Sequence, residues 1–374
     1  MKIALVHDWL TSMRGGEKVL EVLCELYPGA ALFTLLHNKG NLSPTIERMK
    51  IETSFIDKLP MKENHYRNYL PLFPGAIESL DFSGYDLIIS SSHCVAKGAK
   101  PQKDALHICY CHTPMRYVWE MYDEYFGKGK AGILTRTAMS IAAPYLRNWD
   151  VKSSSRVNYF IANSHNVARR INEYYSRTSD VIHPPVDMDS FQLYEKDDGY
   201  YLIVSALVPY KRVDLAIELF NRSGKKLIIV GSGPENEKLR SLASSNIKFL
   251  GWADNKELQS LYGGCKALIF PGIEDFGIVP LEAMACGKPV IAYGKGGALE
   301  TVVEGLTGTF FYEQNIESLS EAVKKFETAK FDGAAIREHA KKFDRAVFKE
   351  SMRKYIEVKI GDHFSSGSRG PYSG

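Results

Sequence analysis

Twice in this chain, short apolar runs alternate with segments whose apolar residues recur at helical spacing, and a rigid break separates the two series. The first series opens with residues 2–7, fit for a strand. Residues 17–26 follow, where Val19, Leu20, Leu23 and Leu26 share one helical face and Pro28-Gly29 stops the helix. Residues 86–90 and 106–111 read as further buried strands, and 157–162 lead into an Asn163-Ser164 cap and a helix ending at Tyr175. The break is Val181-Ile-His-Pro-Pro-Val-Asp187, whose paired prolines stiffen the backbone and exclude a helix. The alternation then restarts. Strands are expected at 200–205, 227–230, 247–250, 267–270 and 290–292, with a helix carrying Val213, Ala216, Ile217 and Phe220 on one face and later helices at 316–326, 334–343 and 345–358. Such alternation builds parallel sheets covered on both faces, with ligands at the carboxyl ends of the strands. The expected fold class is therefore α/β: two Rossmann-like, doubly wound domains facing across a cleft. A chain of 374 residues is long enough for both.

Composition narrows the function. A net charge of +3 is too small for a nucleic-acid partner, and 45% hydrophobic with 24% charged residues is ordinary for a globular enzyme. No run approaches the roughly eighteen apolar residues of a membrane span, and residues 3–6 are too short an apolar run for a signal peptide. Six cysteines without a Cys-x-x-Cys pair agree with reduced thiols. A cytoplasmic location is expected.

The stretch richest in chemistry is Ile273-Glu-Asp-Phe-Gly-Ile-Val-Pro-Leu-Glu-Ala-Met-Ala-Cys-Gly287, directly after a candidate buried strand. Pro280 suits the first position of a helix and Gly287 the residue beyond its end. The first amides, near Gly277 and Ile278, would offer unpaired donors and the positive end of the helix dipole to a phosphate. Glu274 precedes that helix and Glu282 lies on it; acids repel phosphate but bond well to sugar hydroxyls, so a nucleotide sugar would explain both features. Lys211 and Arg212, at the mouth of another strand, are suited to a diphosphate. Gly15 and Gly16 stand at a strand-to-helix turn where backbone can approach a ligand, and His112 falls at the carboxyl end of a strand. The plain alternatives are a solvated basic turn, a tight turn and a structural histidine.

The sequence Glu274-Asp-Phe-Gly-Ile-Val-Pro-Leu-Glu-Ala-Met-Ala-Cys-Gly-Lys-Pro-Val-Ile-Ala292 resembles the paired-glutamate signature of family-four retaining glycosyltransferases. The resemblance covers residues 1 to about 355 and is tightest over 200–308. It implies the GT-B architecture: an N-terminal acceptor-side domain over 1–185, to which a helix at about 345–360 returns, and a donor-binding domain over 186–344. Residues 361–374, rich in Gly and Ser, would be a disordered tail. It further implies that Gly15, Gly16, Lys211 and Arg212 bind the donor diphosphate and Glu282 the ribose. Glu274, Phe276, Gly277, Ile278 and His112 would hold the donor sugar, with Glu274 and His112 as the catalytic pair. No metal and no cofactor is implied beyond the nucleotide sugar as co-substrate. One departure is Ala206, where many family members carry an arginine, so part of the diphosphate clamp is absent and Arg212 is the candidate substitute.

Leu207-Val-Pro-Tyr-Lys-Arg212 and Cys111-His-Thr-Pro-Met-Arg-Tyr117 look most like mannosyltransferases of surface-polysaccharide, lipopolysaccharide and O-antigen assembly. GDP-mannose is therefore the leading donor and a UDP-sugar the second, with a lipid-linked or glycan acceptor; Thr113, Arg116 and Tyr117 are candidates for its side. The rivals are a nucleotide-sugar epimerase of the same fold and a non-catalytic nucleotide- or glycan-binding partner.

Other motifs fail. Gly231-Ser-Gly-Pro-Glu-Asn236 lacks the last glycine of a dinucleotide loop, and Gly287-Lys288 is followed by Pro289 rather than Ser or Thr. His107, Cys109 and Cys111 share a strand face, but a fourth metal ligand is not evident. Asp187-Met-Asp189 sits at the domain exit, the wrong place for a metal-diphosphate motif. Residues 53–80 mix bases, aromatics and prolines; a helical hairpin is expected there, with peripheral association with an anionic bilayer through residues 58–75 as the alternative.

Overall fold

The computed structural model describes residues 1–127 and 132–366 and divides into two compact units, Met1–Pro184 with Phe348–Gly374, and Pro185–Val347. In the first unit seven parallel strands, β1 (Ile3–His7), β2 (Ala31–Thr34), β3 (Lys50–Thr53), β4 (Leu87–Ser92), β5 (Leu106–Cys111), β6 (Tyr159–Ala162) and β7 (Ser179–Val181), lie in the order β3-β2-β1-β4-β5-β6-β7. Successive residues of a strand face opposite sides. Ala4 and Val6 accordingly join Phe33, Ile88 and Trp149 on one face, while Leu5 joins Leu32, Ile89 and Ile108 on the other. The helix Gly15–Leu26 covers that second face, together with Phe348, Met352 and Ile356 of the last helix.

The second unit repeats the plan with six parallel strands in the order β10-β9-β8-β11-β12-β13. These are β8 (Tyr200–Val204), β9 (Lys226–Val230), β10 (Ile247–Gly251), β11 (Cys265–Phe270), β12 (Val290–Tyr293) and β13 (Gly308–Phe311). Tyr201, Ile203, Ile229 and Ile269 pack beneath helices Val213–Ser223 and Ile316–Thr328, whereas Leu202, Leu268 and Ala292 pack beneath Ile278–Ala285 and Gly333–Ala340. In each sheet the order reverses once, between β1 and β4 and between β8 and β11. Loops diverge there and leave a crevice at the strand ends.

Several elements differ from expectation. Gly15 and Gly16 are not in a turn but open the helix, because extended Arg14 caps it and donates its N–H to Glu17 Oε2 at 3.1 Å. Residues 53–80 form no helical hairpin. After β3 come four short helical segments, Phe55–Lys58 and Tyr66–Leu72 of 3-10 type and Lys62–His65 and Phe73–Glu78 of α type, where Pro60, Pro71 and Pro74 withhold the donors a long continuous helix needs. The 22-residue helix Ile133–Ser154 and the four-residue strands β2, β3 and β13 lie where no element was expected. The last helix runs through Gly361 to Ser366, so residues 361–366 are not a disordered tail; one glycine costs a helix only about 1 kcal/mol. The rest of that expected tail, 367–374, lies outside the described residues. No described helix is long and apolar enough to cross a membrane.

Candidate functional site

In the second unit the switch between β8 and β11 brings together two loops far apart in sequence. Lys211 ends the turn after β8, Glu274 lies on the loop after β11, and the two side chains form an ion pair. Lys211 is only 8% exposed. The loops approach closely because of Gly272: a Cβ there would stand 2.7 Å from Lys211 Cα, a distance real side chains do not reach. A second glycine, Gly297, supports Glu274 through its backbone. Gly297 donates its N–H to the Glu274 carbonyl at 2.9 Å, and a Cβ on Gly297 would lie 2.2 Å from Phe276 Cα. The glycines of 294–297 thus serve close packing, and the helix after them, Ala298–Thr301, is a single turn.

The helix after the Glu274 loop starts at Ile278, two residues before the expected Pro280, because Gly277 at φ +91° reverses the chain first. Pro280 still falls in the first turn, where no backbone donor is needed. Phe276 is buried in the core beneath. Glu282 is 8% exposed on the same helix, and its Oε2 accepts a hydrogen bond from the Tyr262 hydroxyl at 2.8 Å. Burial, and then the Glu282 charge, push the Tyr262 phenol well above its ordinary range, so it remains a donor. Arg212 adopts left-handed backbone at φ +50° and caps helix Val213–Ser223; its Nε donates to Asp214 at 3.2 Å. Gly231 and Gly233 press on the carbonyls of Ser205 and Leu207, which gives that glycine motif a packing role.

In the first unit the corresponding switch, between β1 and β4, holds a denser polar cluster. The wholly buried Asp8 carboxylate accepts from the backbone amides of His93, Cys94, Val95 and Ala96 at 2.6, 3.1, 2.6 and 2.7 Å, and His93 Nδ1 lies at 3.0 Å. Burial alone would raise its pKa; the charge and hydrogen bonds of His93 outweigh burial and hold it far below the usual carboxylate range. Beside it runs a relay of side chains. Glu17 Oε1 is 3.7 Å from His7 Nε2, His7 Nδ1 is 3.1 Å from Ser91 Oγ, and Ser91 Oγ is 2.8 Å from His112 Nε2. Glu17 is likewise lowered, its burial outweighed by the hydrogen bond and charge of His7.

Gly16 lies over this relay: a Cβ on it would stand 3.5 Å from His7 Cε1 and 3.7 Å from His112 Nε2. The structure thus joins Gly16 and His112 in one corner, with Gly15 the first residue of the same helix. The next residue, Thr113, is 3% exposed and its Oγ1 is buried without a hydrogen-bond partner among the described residues. His107 is not part of this corner. Its Nε2 meets Ser90 Oγ at 2.8 Å and its Nδ1 the Arg156 carbonyl at 3.1 Å, and burial lowers its pKa to about 4. With both ring nitrogens occupied it is a core histidine.

Sequence reasoning missed His7, Asp8, Glu17, Ser91, His93 and Tyr262. The polar His7-Asp8 pair and the Ser90-Ser91-Ser92 run at the ends of buried strands were a usable signal; nothing marked Tyr262.

A family profile described as Glycosyltransferase Family 4 matches residues 33–190, and one described as Glycosyl transferases group 1 matches 187–346. An uncharacterized glycosyltransferase of Methanocaldococcus jannaschii is 29% identical over 228 residues, 58% of this chain and 64% of that protein. A GDP-mannose-dependent monoacylated alpha-(1-6)-phosphatidylinositol monomannoside mannosyltransferase of Corynebacterium glutamicum is 38% identical over 133 residues, 31% of this chain and 35% of that protein. These matches span under two thirds of the relatives' own length. The solved structure of Anabaena HepE in complex with UDP superposes with a TM-score of 0.69 over 96% of this chain and 100% of that one, at 16% identity, a likeness that speaks to the fold alone. Two abutting profiles, two parallel sheets with one switch point each and the paired glutamates at the second of them agree: the chain belongs to the family-four glycosyltransferases and has the GT-B fold.

Proposed function

We propose that the protein is a retaining glycosyltransferase that takes a sugar from a nucleoside diphosphate donor and passes it to an acceptor hydroxyl. The observation that carries this reading is the Lys211–Glu274 pair at the β8/β11 switch, on the loop that leads into helix Ile278–Ala285, the helix that carries the Tyr262-held Glu282. A cation, oriented amides and two carboxylates together match a diphosphate flanked by two sugars.

In this mechanism the arriving diphosphate takes Lys211 from Glu274, and the released carboxylate bonds the donor sugar's hydroxyls. Phe276, Gly277 and Ile278 line the sugar with backbone, and Glu282 holds the ribose. The bond from the anomeric carbon to the phosphate oxygen breaks, a bond to the acceptor oxygen forms on the same face, and the acceptor's proton passes to the leaving diphosphate. Lys211 and the amides near Gly277 stabilise the charge growing on that leaving group; groups fixed in place around developing charge usually give an enzyme most of its rate enhancement. Arg212, paired with Asp214, adds longer-range positive potential. Because protein groups meet that charge, turnover is expected to survive a chelator. His112 and the helix start at Gly15 and Gly16 are proposed to act on the donor as well, so His112→Ala should lower kcat.

GDP-mannose is the leading donor, supported by the GDP-mannose-dependent Corynebacterium relative; a UDP-sugar is second, supported by the UDP in the HepE structure. A lipid-linked or glycan acceptor in polysaccharide assembly, at the cytoplasmic face of a membrane, completes the proposal. Incubating the protein with a panel of labelled GDP- and UDP-sugars, with and without a membrane-lipid extract as acceptor source, tests it. Transfer of one sugar is expected; turnover of a nucleotide sugar with no acceptor, yielding its epimer, would point to an epimerase instead.

A further inference from the structure

The first unit holds a cavity of about 710 Å³ at the carboxyl ends of β1 and β2, lined in part by Arg14, the cap of the helix that Gly15 and Gly16 open. That volume suits a small ligand. Its floor is built from the loops after the two strands, zipped by Leu10 N–H to the Leu36 carbonyl at 2.9 Å and Asn38 N–H to the Leu10 carbonyl at 2.8 Å. Arg14, Lys39, Lys62 and Arg67 line it against one carboxylate, Glu63.

The pairing of these charges matters more than their number. Lys62 is held by Asp57 at 2.6 Å, but among the described residues Arg14, Lys39 and Arg67 form no ion pair. The Arg67 guanidinium instead lies 5.1 Å over the ring of Tyr66, a buried cavity wall. Three cations around one cavity repel each other, and an anion is what relieves them; two are arginines, whose planar forks match phosphate oxygens. An acceptor must also present a hydroxyl, so the anion taken here is a hydroxylated one.

We infer that this cavity takes an acceptor that is itself an anion, a hydroxylated molecule carrying a phosphate monoester or diester gripped by Arg14, Lys39 and Arg67. This deepens the transferase reading and rests on it. The same chemistry belongs to a soluble sugar phosphate and to a phosphoinositol lipid headgroup. The segment beside the cavity carries exposed Phe55, Met61 and Leu72, at 42%, 69% and 47%, so the two sources need separate arms.

The test saturates the protein with the nucleoside diphosphate it binds best, which fills the donor phosphate site. Glucose 6-phosphate and glucose are then titrated by calorimetry, and sedimentation is measured with phosphatidylcholine vesicles with and without phosphatidylinositol. The phosphorylated sugar should bind and glucose should not, or the phosphatidylinositol vesicles should carry the protein down and plain vesicles should not; which arm responds names the source. Lys39→Glu and Arg67→Glu, each checked for unchanged circular dichroism and nucleotide affinity, should weaken that binding by about ten-fold or more, the scale of one charge-assisted hydrogen bond. Equal binding of charged and neutral probes, no binding in either arm, or full binding by both folded variants overturns the inference. Failure to bind any nucleoside diphosphate would instead strike the transferase reading, with the phosphate arms still readable.

Discussion

The two switch points use polar groups in opposite ways. In the first unit most of the polar groups at the switch answer one another: Asp8 is saturated by four amides and a histidine, and Glu17, His7, Ser91 and His112 lie in series, with Thr113 Oγ1 left without a hydrogen-bond partner among the described residues. In the second unit the central feature is a single ion pair, Lys211–Glu274, with Glu274 still 27% exposed. A saturated network is rigid and holds its shape before any ligand arrives, whereas one partly wet ion pair can exchange a partner at little cost. The first corner is therefore built to position and the second to bind.

Substitutions can break that contrast. Asp8→Ala should be the most damaging to folding, about 3–5 kcal/mol by denaturant titration, because it strands buried donors on four successive residues. Glu274→Ala should reverse the pattern: transfer falls by roughly 10²–10³, the cost of one transition-state contact, while the fold loses less than it does in Asp8→Ala, because one buried ammonium rather than donors on four residues loses its partner. If instead Glu274→Ala unfolds the protein with no specific loss of kcat, the division of labour is wrong. Glu282→Ala should weaken nucleotide binding by about 1.5–3 kcal/mol by calorimetry, and Tyr262→Phe, which removes only the hydroxyl orienting it, by about 0.5–1.5 kcal/mol.

Acid sharpens the comparison further. Asp8 and Glu17 have folded pKa values below their ordinary 3.8 and 4.5, so each contributes stability that is complete above those values and is lost as pH falls through the folded pKa. Unfolding free energy should decline as pH drops below about 4.5, and Asp8→Asn should flatten that decline. The smallest effect on stability belongs to Gly16→Ala. Its added methyl would sit at 3.5 Å from His7, ordinary contact, and alanine favours the helix by up to about 1 kcal/mol, so the fold should hold or gain. Turnover is the informative readout: a loss without destabilisation would mean that a ligand needs the space.

Much of this was legible in sequence because it depends on local chemistry. The apolar runs at β4, β5, β8 and β9 and the amphipathic faces at Val19–Leu20–Leu23 and Val213–Ala216–Phe220 are patterns of period two and 3.6 that any chain must bury. Glu274, Glu282 and Lys211 could be singled out because strand ends and glycine-rich helix starts are where an α/β sheet meets ligands. Three things escaped. β3, Lys50-Ile-Glu-Thr53, has a single apolar residue and so no alternation to show, Pro60, Pro71 and Pro74 break the helical hairpin expected over 53–80, and Gly15-Gly16 begins the helix it was expected to precede.

What residue order determined by itself is the alternation of strands and helices, the proline break and the identity of the acids and bases at the strand ends. What tertiary structure alone decided is which of those ends meet. Strand order sets β1 beside β4 and β8 beside β11, and only that neighbourhood puts Asp8 against the amides of His93 to Ala96 or Lys211 against Glu274. The reason is that hydrophobic periodicity specifies which face of an element is buried but not its neighbour, and a polar contact between distant residues exists only once the neighbours are chosen.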